Sequence, residues 1–152
     1  MTSDEVTALI HASFPEAGER WRIVDLVEDR VTLDYRTDPS MLRPGGTISG
    51  PSQMAIMDLA AFIMVLGAVG PAELAVTSSL HMSFLRRPRP GIMRCTGTLL
   101  KLGRSLAVIV AHLYNTERSD LSGGADDPSG SLVAHAELTY SMALVGQSPT
   151  PA

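Results

Sequence analysis

The stretch Met54 to Val69, MAIMDLAAFIMVLGAV, constrains this chain most, because it is apolar at nearly every position and carries one charge, Asp58. Met, Ala and Leu favour a helix, Pro51 stands where a first helical turn tolerates proline, and Gly67 and Gly70-Pro71 are stop signals. The sequence therefore predicts a helix from about Pro51 to Val69. Three and four positions from Asp58 lie Met54, Ala55, Ala61 and Phe62, and the opposite face is almost as apolar. A helix of this kind belongs inside a domain. An ionised carboxylate is costly there, so Asp58 must be neutralised, find hydrogen-bond partners, or line a cavity that a substrate reaches. A structural acid and a general base or nucleophile both satisfy that requirement. The uninterrupted apolar part, Leu59 to Val69, falls short of the roughly 20 residues needed to cross a bilayer, so no membrane span is expected.

The rest of the composition narrows the class. A chain of 152 residues that is 45% hydrophobic can bury one real core, and the expectation is a single domain over 1–152. The net charge of -4 argues against a nucleic-acid surface. One cysteine, Cys95, excludes an intrachain disulfide and reads as a buried strand residue. The N-terminus has no signal-peptide pattern, so a reducing cytoplasm is the expected location. His11, His81, His112 and His135 fall one per element without metal-ligand spacing, and no metal site is expected.

The order of elements follows from periodicity. Ser3 can cap a short amphipathic helix through about Phe14. Trp21, Ile23, Asp25 and Val27 then alternate with Arg22, Val24, Leu26 and Glu28, and Val31 to Arg36 alternates again, as two hairpin strands do. A loop, Thr37 to Ser49, leads into the apolar helix. Four strands follow, at Ala75 to Leu85, Ile92 to Lys101, Leu106 to Asn115 and Leu132 to Met142. The first of these sets Val76, Ser78, Leu80, Met82 and Phe84 on one face, and Thr77, Ser79, His81 and Ser83 on the other as polar groups for an interface. The polar segment Thr116 to Gly130 is expected to be a long mobile loop, and the tail 147–152 to be disordered. One apolar helix with about six strands implies an α+β fold, a curved antiparallel sheet wrapped around the helix.

The Gly-rich loop before an acid-bearing helix, the strand VTSSLHMSFLRRPRPG and the turn KLGRSLAV together resemble the hotdog-fold acyl-CoA thioesterases related to the phenylacetic-acid-pathway (PaaI-like) family, over roughly Asp38 to Met142. In the commoner family pattern a His-Gly-Gly loop precedes the acid, which follows nine residues after the His. Ser49, Gly50 and Pro51 occupy the loop positions here, and Asp58 the acid. The His is replaced by Ser49, a polar residue often present upstream falls near Arg43, and a Thr used by some members one turn after the acid is Phe62. The resemblance implies a homo-oligomer, a dimer or a dimer of dimers, that hydrolyses an acyl-CoA thioester. Coenzyme A is then part of the substrate, and no separate cofactor is required.

Individual roles divide as follows. Thioester hydrolysis builds negative charge on the carbonyl oxygen, and the Gly50 N–H at a helix N-terminus suits it. Asp58, the acid within the helix, suits the base or nucleophile. These two lie eight residues apart, about 12 Å along one helix, so one chain cannot easily aim both at one carbonyl. Pairing of two chains through the strand Ala75 to Leu85 resolves the conflict. Ser49 reads first as an N-cap. Ser49, Arg43 and His81 are candidate supporting polar groups. Arg86, Arg87, Gly103 and Arg104 are candidates for holding coenzyme A, in balance with plain solvated surface charge. A non-catalytic acyl or CoA binder, or a hotdog hydratase or dehydratase, are the alternative readings.

Overall fold

A computed structural model describes residues 1–15, 18–72, 75–127 and 130–142. The element order is α1 (Ser3–Ser13), β1 (Trp21–Val27), β2 (Arg30–Arg36), α2 (Gly50–Val69), β3 (Val76–Phe84), β4 (Ile92–Leu102), β5 (Leu106–Asn115) and β6 (Ser131–Ser141). The tail 147–152 lies outside the described residues. The cap of α1 is Thr2 rather than Ser3: its side chain accepts from Glu5 N–H while Glu5 reaches back to the Thr2 N–H, a reciprocal capping box.

All six strands pair antiparallel in one sheet, in the order β1-β2-β4-β5-β6-β3. The helix α2 packs against every strand, and α1 packs on α2 and β1 through Val6 and Ile10. Ile56, Met57, Ile63, Met64 and Leu66 of α2 are fully buried against Leu33, Cys95, Ile109, Leu113 and Leu138 of the sheet. This is the α+β hotdog arrangement that the resemblance implies. At 20 residues and a mean hydropathy of 1.8, α2 does meet the length and composition of a membrane span, contrary to the shorter count made from its uninterrupted apolar part. Its packing identifies it as the core helix of this sheet.

Two bulges move side chains away from the simple alternation. In β1 the register shifts between Ile23 and Asp25, so Leu26 rather than Asp25 or Val27 packs on the helix, its methyls 3.0 Å from where a side chain at Gly67 would begin. In β3 the shift falls between Thr77 and Ser79. Thr77 therefore joins Leu80 and Met82 on the helix side, while Ser78 bonds the Thr139 carbonyl. An extra residue inverts the facing of everything before it.

The opposite face of the sheet carries a buried ion network. Asp34 and Arg94 lie opposite each other on β2 and β4, joined by two bonds of 2.8 and 3.0 Å, and Arg118 adds a third at 2.6 Å. Arg94 also donates to the Asp127 carbonyl, and Arg22 to that of Gly123. The loop after β5, expected to be mobile, is thus tied over the sheet by charge-assisted bonds. The expected strand alternation does not reveal this network, because it ranks charged strand residues as outward and solvated.

Two outcomes test this packing. Asp34→Ala leaves the Arg94 guanidinium buried without its partner and should lower stability by about 3–5 kcal/mol in urea denaturation. Cys95 is fully buried, and burial pushes its thiol up to about 12. It should stay unreactive toward a disulfide reagent at pH 8 in the folded protein and react fully once denatured.

Candidate active site

Among the described residues, the N-terminus of α2 has one free donor. Ser49 caps the helix as expected: its Oγ accepts from Ser52 N–H at 3.3 Å, and its carbonyl accepts from Gln53 N–H. Pro51 has no N–H, and among the described residues the Gly50 N–H makes no hydrogen bond. Gly45 and Gly46, with φ of 100° and 77°, make the turn that brings the chain back to this point, and Ile48 N–H bonds the Pro88 carbonyl. A cleft of about 420 Å³ opens here, lined by Arg43, Gly50, Gln53, Phe84, Arg86 and Arg87 among others. A side chain at Gly50 would begin 3.2 Å from the Phe84 ring. The structure thus brings together Gly50, Arg43, Arg86 and Arg87, an unpaired helix N–H among three cations.

Asp58 belongs to a different cavity. It is half-buried rather than enclosed, on a stripe of α2 that the sheet leaves uncovered and that also carries Met54, Ala55, Leu59 and Phe62. Its Oδ1 accepts from Thr77 Oγ1 at 2.6 Å and from the Tyr140 hydroxyl at 2.7 Å. Of the outcomes open to such an acid, this one has both hydrogen-bond partners and a cavity. That cavity, about 660 Å³, is walled by Ile10, Phe14, Leu59, Phe62 and Val76, with Thr77 and Tyr140 beside the carboxylate. Burial raises the Tyr140 hydroxyl well above the usual phenol range; the neighbouring carboxylate adds to this and the nearby Thr77 hydroxyl opposes it.

The other candidates fall elsewhere. Gly103 N–H closes the β4–β5 turn on the Leu106 carbonyl at 2.8 Å, so it is not a free donor. Arg104 is exposed in the same turn. That turn is at the Val76 end of the sheet, whereas Arg86 and Arg87 follow Phe84 at the other. Along β5 this is a separation of roughly 25 Å. Within one chain these four residues cannot contact one phosphate group. His81 is exposed opposite Glu137 and alternates with the inward Leu80 and Met82, so it does not reach Asp58 or Gly50 in its own chain. Arg89 pairs with Glu117 instead of lining the cleft.

Sequence reading missed Thr77 and Tyr140. The bulge at Ser78 hides Thr77, which simple alternation sends to the wrong face. Tyr140 had a usable signal: a polar-tipped aromatic on the inward register of β6, aligned with Ala134, Ala136 and Leu138, needs a partner in the core.

Comparison with known proteins bears on this geometry. A family model described as the thioesterase superfamily matches residues 45–122, which include Gly50, Asp58 and Thr77. A candidate thioesterase from Silicibacter sp. TM1040 is 31% identical, with a TM-score of 0.77, over 94% of this chain and 92% of that one. A thioesterase from Haemophilus influenzae is 17% identical, with a TM-score of 0.75, over 99% of this chain and 96% of that one. A hypothetical thioesterase from Streptococcus pneumoniae, solved with coenzyme A, is 17% identical, with a TM-score of 0.67, over 82% of this chain and 90% of that one. No curated protein sequence matches. The family match over half of the chain, and the identity to the Silicibacter protein along almost all of it, establish that this chain belongs to the thioesterase superfamily, with a hotdog fold.

Proposed function

We propose that this protein is a PaaI-like acyl-CoA thioesterase that releases free acid and the CoA thiol at sites shared between two copies of the chain. One observation carries the reading: the free Gly50 N–H and the Asp58 carboxylate lie in separate cavities of one protomer, and β3 connects them. Phe84, at one end of this strand, touches Gly50; Thr77, at the other, holds Asp58.

Strand β3 is an edge of the sheet, nine residues long and without a charged side chain, VTSSLHMSF. Unprotected edges of this kind are templates for pairing. Val76, Phe84 and Leu85 are each at least half exposed on or beside it. A two-fold axis at His81 would lay Thr77 of one chain opposite Phe84 of its partner, because the bulge at Ser78 takes one residue out of the register. Gly50 of one chain then faces Asp58 of the partner subunit, and each dimer has two sites. The same operation carries Gly103 and Arg104 of the partner toward the end of the sheet where Arg86 and Arg87 stand.

In this reading the Gly50 N–H, aided by the helix dipole, stabilises the developing oxyanion. Asp58 of the partner subunit either takes a proton from a water whose oxygen bonds the carbonyl carbon, or attacks that carbon itself to form an acyl-aspartyl anhydride that water then hydrolyses. In both routes the C–S bond breaks, the thiolate is protonated and the free acid leaves. Arg43, Arg86 and Arg87 attract the CoA phosphates. The solved coenzyme A complex of the distant Streptococcus pneumoniae relative is consistent with that substrate class. The cavity walled by Phe14, Leu59 and Phe62 takes an apolar, uncharged acyl group. A cytoplasmic setting, where CoA esters are made, belongs to the same proposal.

Two measurements test it. Asp58→Asn should lower thiol release from acyl-CoA substrates at least a hundredfold while leaving the dimer intact by light scattering; full turnover in the variant removes Asp58 from the chemistry, and tight binding without release in the parent makes the protein an acyl-CoA binder. His81→Cys should form an intersubunit disulfide on mild oxidation, because the axis sets the two copies of this position side by side. A monomer, or a dimer that does not crosslink, contradicts the shared site.

A further inference from the structure

Tyr140 lies on β6, 2% exposed, its ring stacked on Phe62 of α2 with centroids 6.2 Å apart and 21° between planes. Its hydroxyl reaches Asp58 twice, at Oδ1 (2.7 Å) and at the main-chain carbonyl (3.1 Å). Thr77 Oγ1 donates to the same Oδ1. Two hydroxyls from two strands therefore converge on one carboxylate oxygen, and among the described residues Oδ2 accepts no hydrogen bond.

We propose that Tyr140 is a positioning residue for the reaction of Asp58: it holds Oδ1 so that Oδ2 is the oxygen presented to water or to the thioester carbon. The inference rests on the thioesterase reading of the site. The terminal torsion of an aspartate is broad and nearly two-fold, so an unheld carboxylate would spread over many orientations. Charge-assisted bonds to one oxygen select one of them. The same O–H proton is shared with the Asp58 carbonyl, a longer arm of 3.1 Å that fixes Tyr140 relative to the helix backbone, so the phenol acts as a ruler between β6 and α2. Packing alone would require the ring and not this hydroxyl geometry.

Tyr140 exchanges no proton in the cycle. If Asp58 acts as base, a water proton moves to Oδ2, the water oxygen bonds the carbonyl carbon, the C–S bond breaks, and the thiolate takes a proton. The phenol remains a donor throughout, since its burial beside a carboxylate opposes ionisation. Of the residues walling the larger cavity, only Asp58 and Tyr140 ionise; the α1 and α2 contributions, Ile10, Phe14, Leu59 and Phe62, are apolar. No other described charge in that wall can take over the role.

Tyr140→Phe keeps the ring and its contact with Phe62 and removes only the hydroxyl. In the dimeric protein kcat for a reactive acyl-CoA should fall roughly ten- to a hundredfold, as the loss of a bond to a charged group implies, with KM within about twofold. Added to Asp58→Asn, the same change should cause no further loss. Unchanged kcat, or an equal loss in both backgrounds, overturns the proposal. A second readout does not depend on turnover: in protein labelled with 13C at aspartate carboxyls, the Asp58 signal, identified by its absence in Asp58→Asn, should move in Tyr140→Phe while that of Asp34 stays. If the parent releases no thiol, the thioesterase reading fails, yet an Asp58 signal that moves still supports the positioning contact and one that stays put refutes it.

Discussion

A helix that is apolar on every side needs cover on every side, and one six-stranded sheet supplies it on only part of α2. The rest of the structure follows from that mismatch. The sheet curves around Ile56, Met57, Ile63, Met64 and Leu66, while Met54, Ala55, Asp58, Leu59 and Phe62 remain along the open flank. Burying the first group supplies the main drive to fold, at roughly 1.5–3 kcal/mol for each large side chain. The open flank cannot be stabilised in the same way within one chain. It is bordered by α1, by the uncharged edge of β3, and by the one acid of the helix.

The proposed chemistry falls on that flank for a physical reason. A carboxylate fully inside the core would lose its hydration without compensation, and one on the outer surface would be screened and free to rotate. Half-buried beside Thr77 and Tyr140, Asp58 keeps its hydrogen bonds and an approach from the cavity. The other end of the helix solves the complementary problem. Proline at position 51 and the Ser49 cap leave one donor, Gly50 N–H, unpaired among the described residues and beside a cluster of arginines. A rigid helix holds the acid and the donor about 12 Å apart, and the proposed shared site rests on that distance.

The sequence allowed the helix, its start at Gly50-Pro51, its cap and the six-strand order to be read directly, because each rests on local periodicity or on cap chemistry. The spacing from Ser49 to Asp58 belongs to the same class of information. Bulges do not. A single extra residue at Ser78 changes which face Thr77 occupies without altering the composition of the strand, and so conceals the partner of the acid. The Asp34–Arg94–Arg118 network was hidden for a related reason: charged strand residues read as solvent-facing until a loop is seen to cover them.

By itself the sequence determined that this chain would build an antiparallel sheet around one apolar helix, with a lone carboxylate in the middle of that helix and a glycine N–H at its start. These are properties of residue type and spacing along one segment. Tertiary structure alone decided which oxygen of Asp58 is held, that Tyr140 comes across from β6 to hold it, and that Gly103 and Arg104 lie far from Arg86 and Arg87. Such facts depend on register between strands distant in sequence, where one bulge outweighs any local preference.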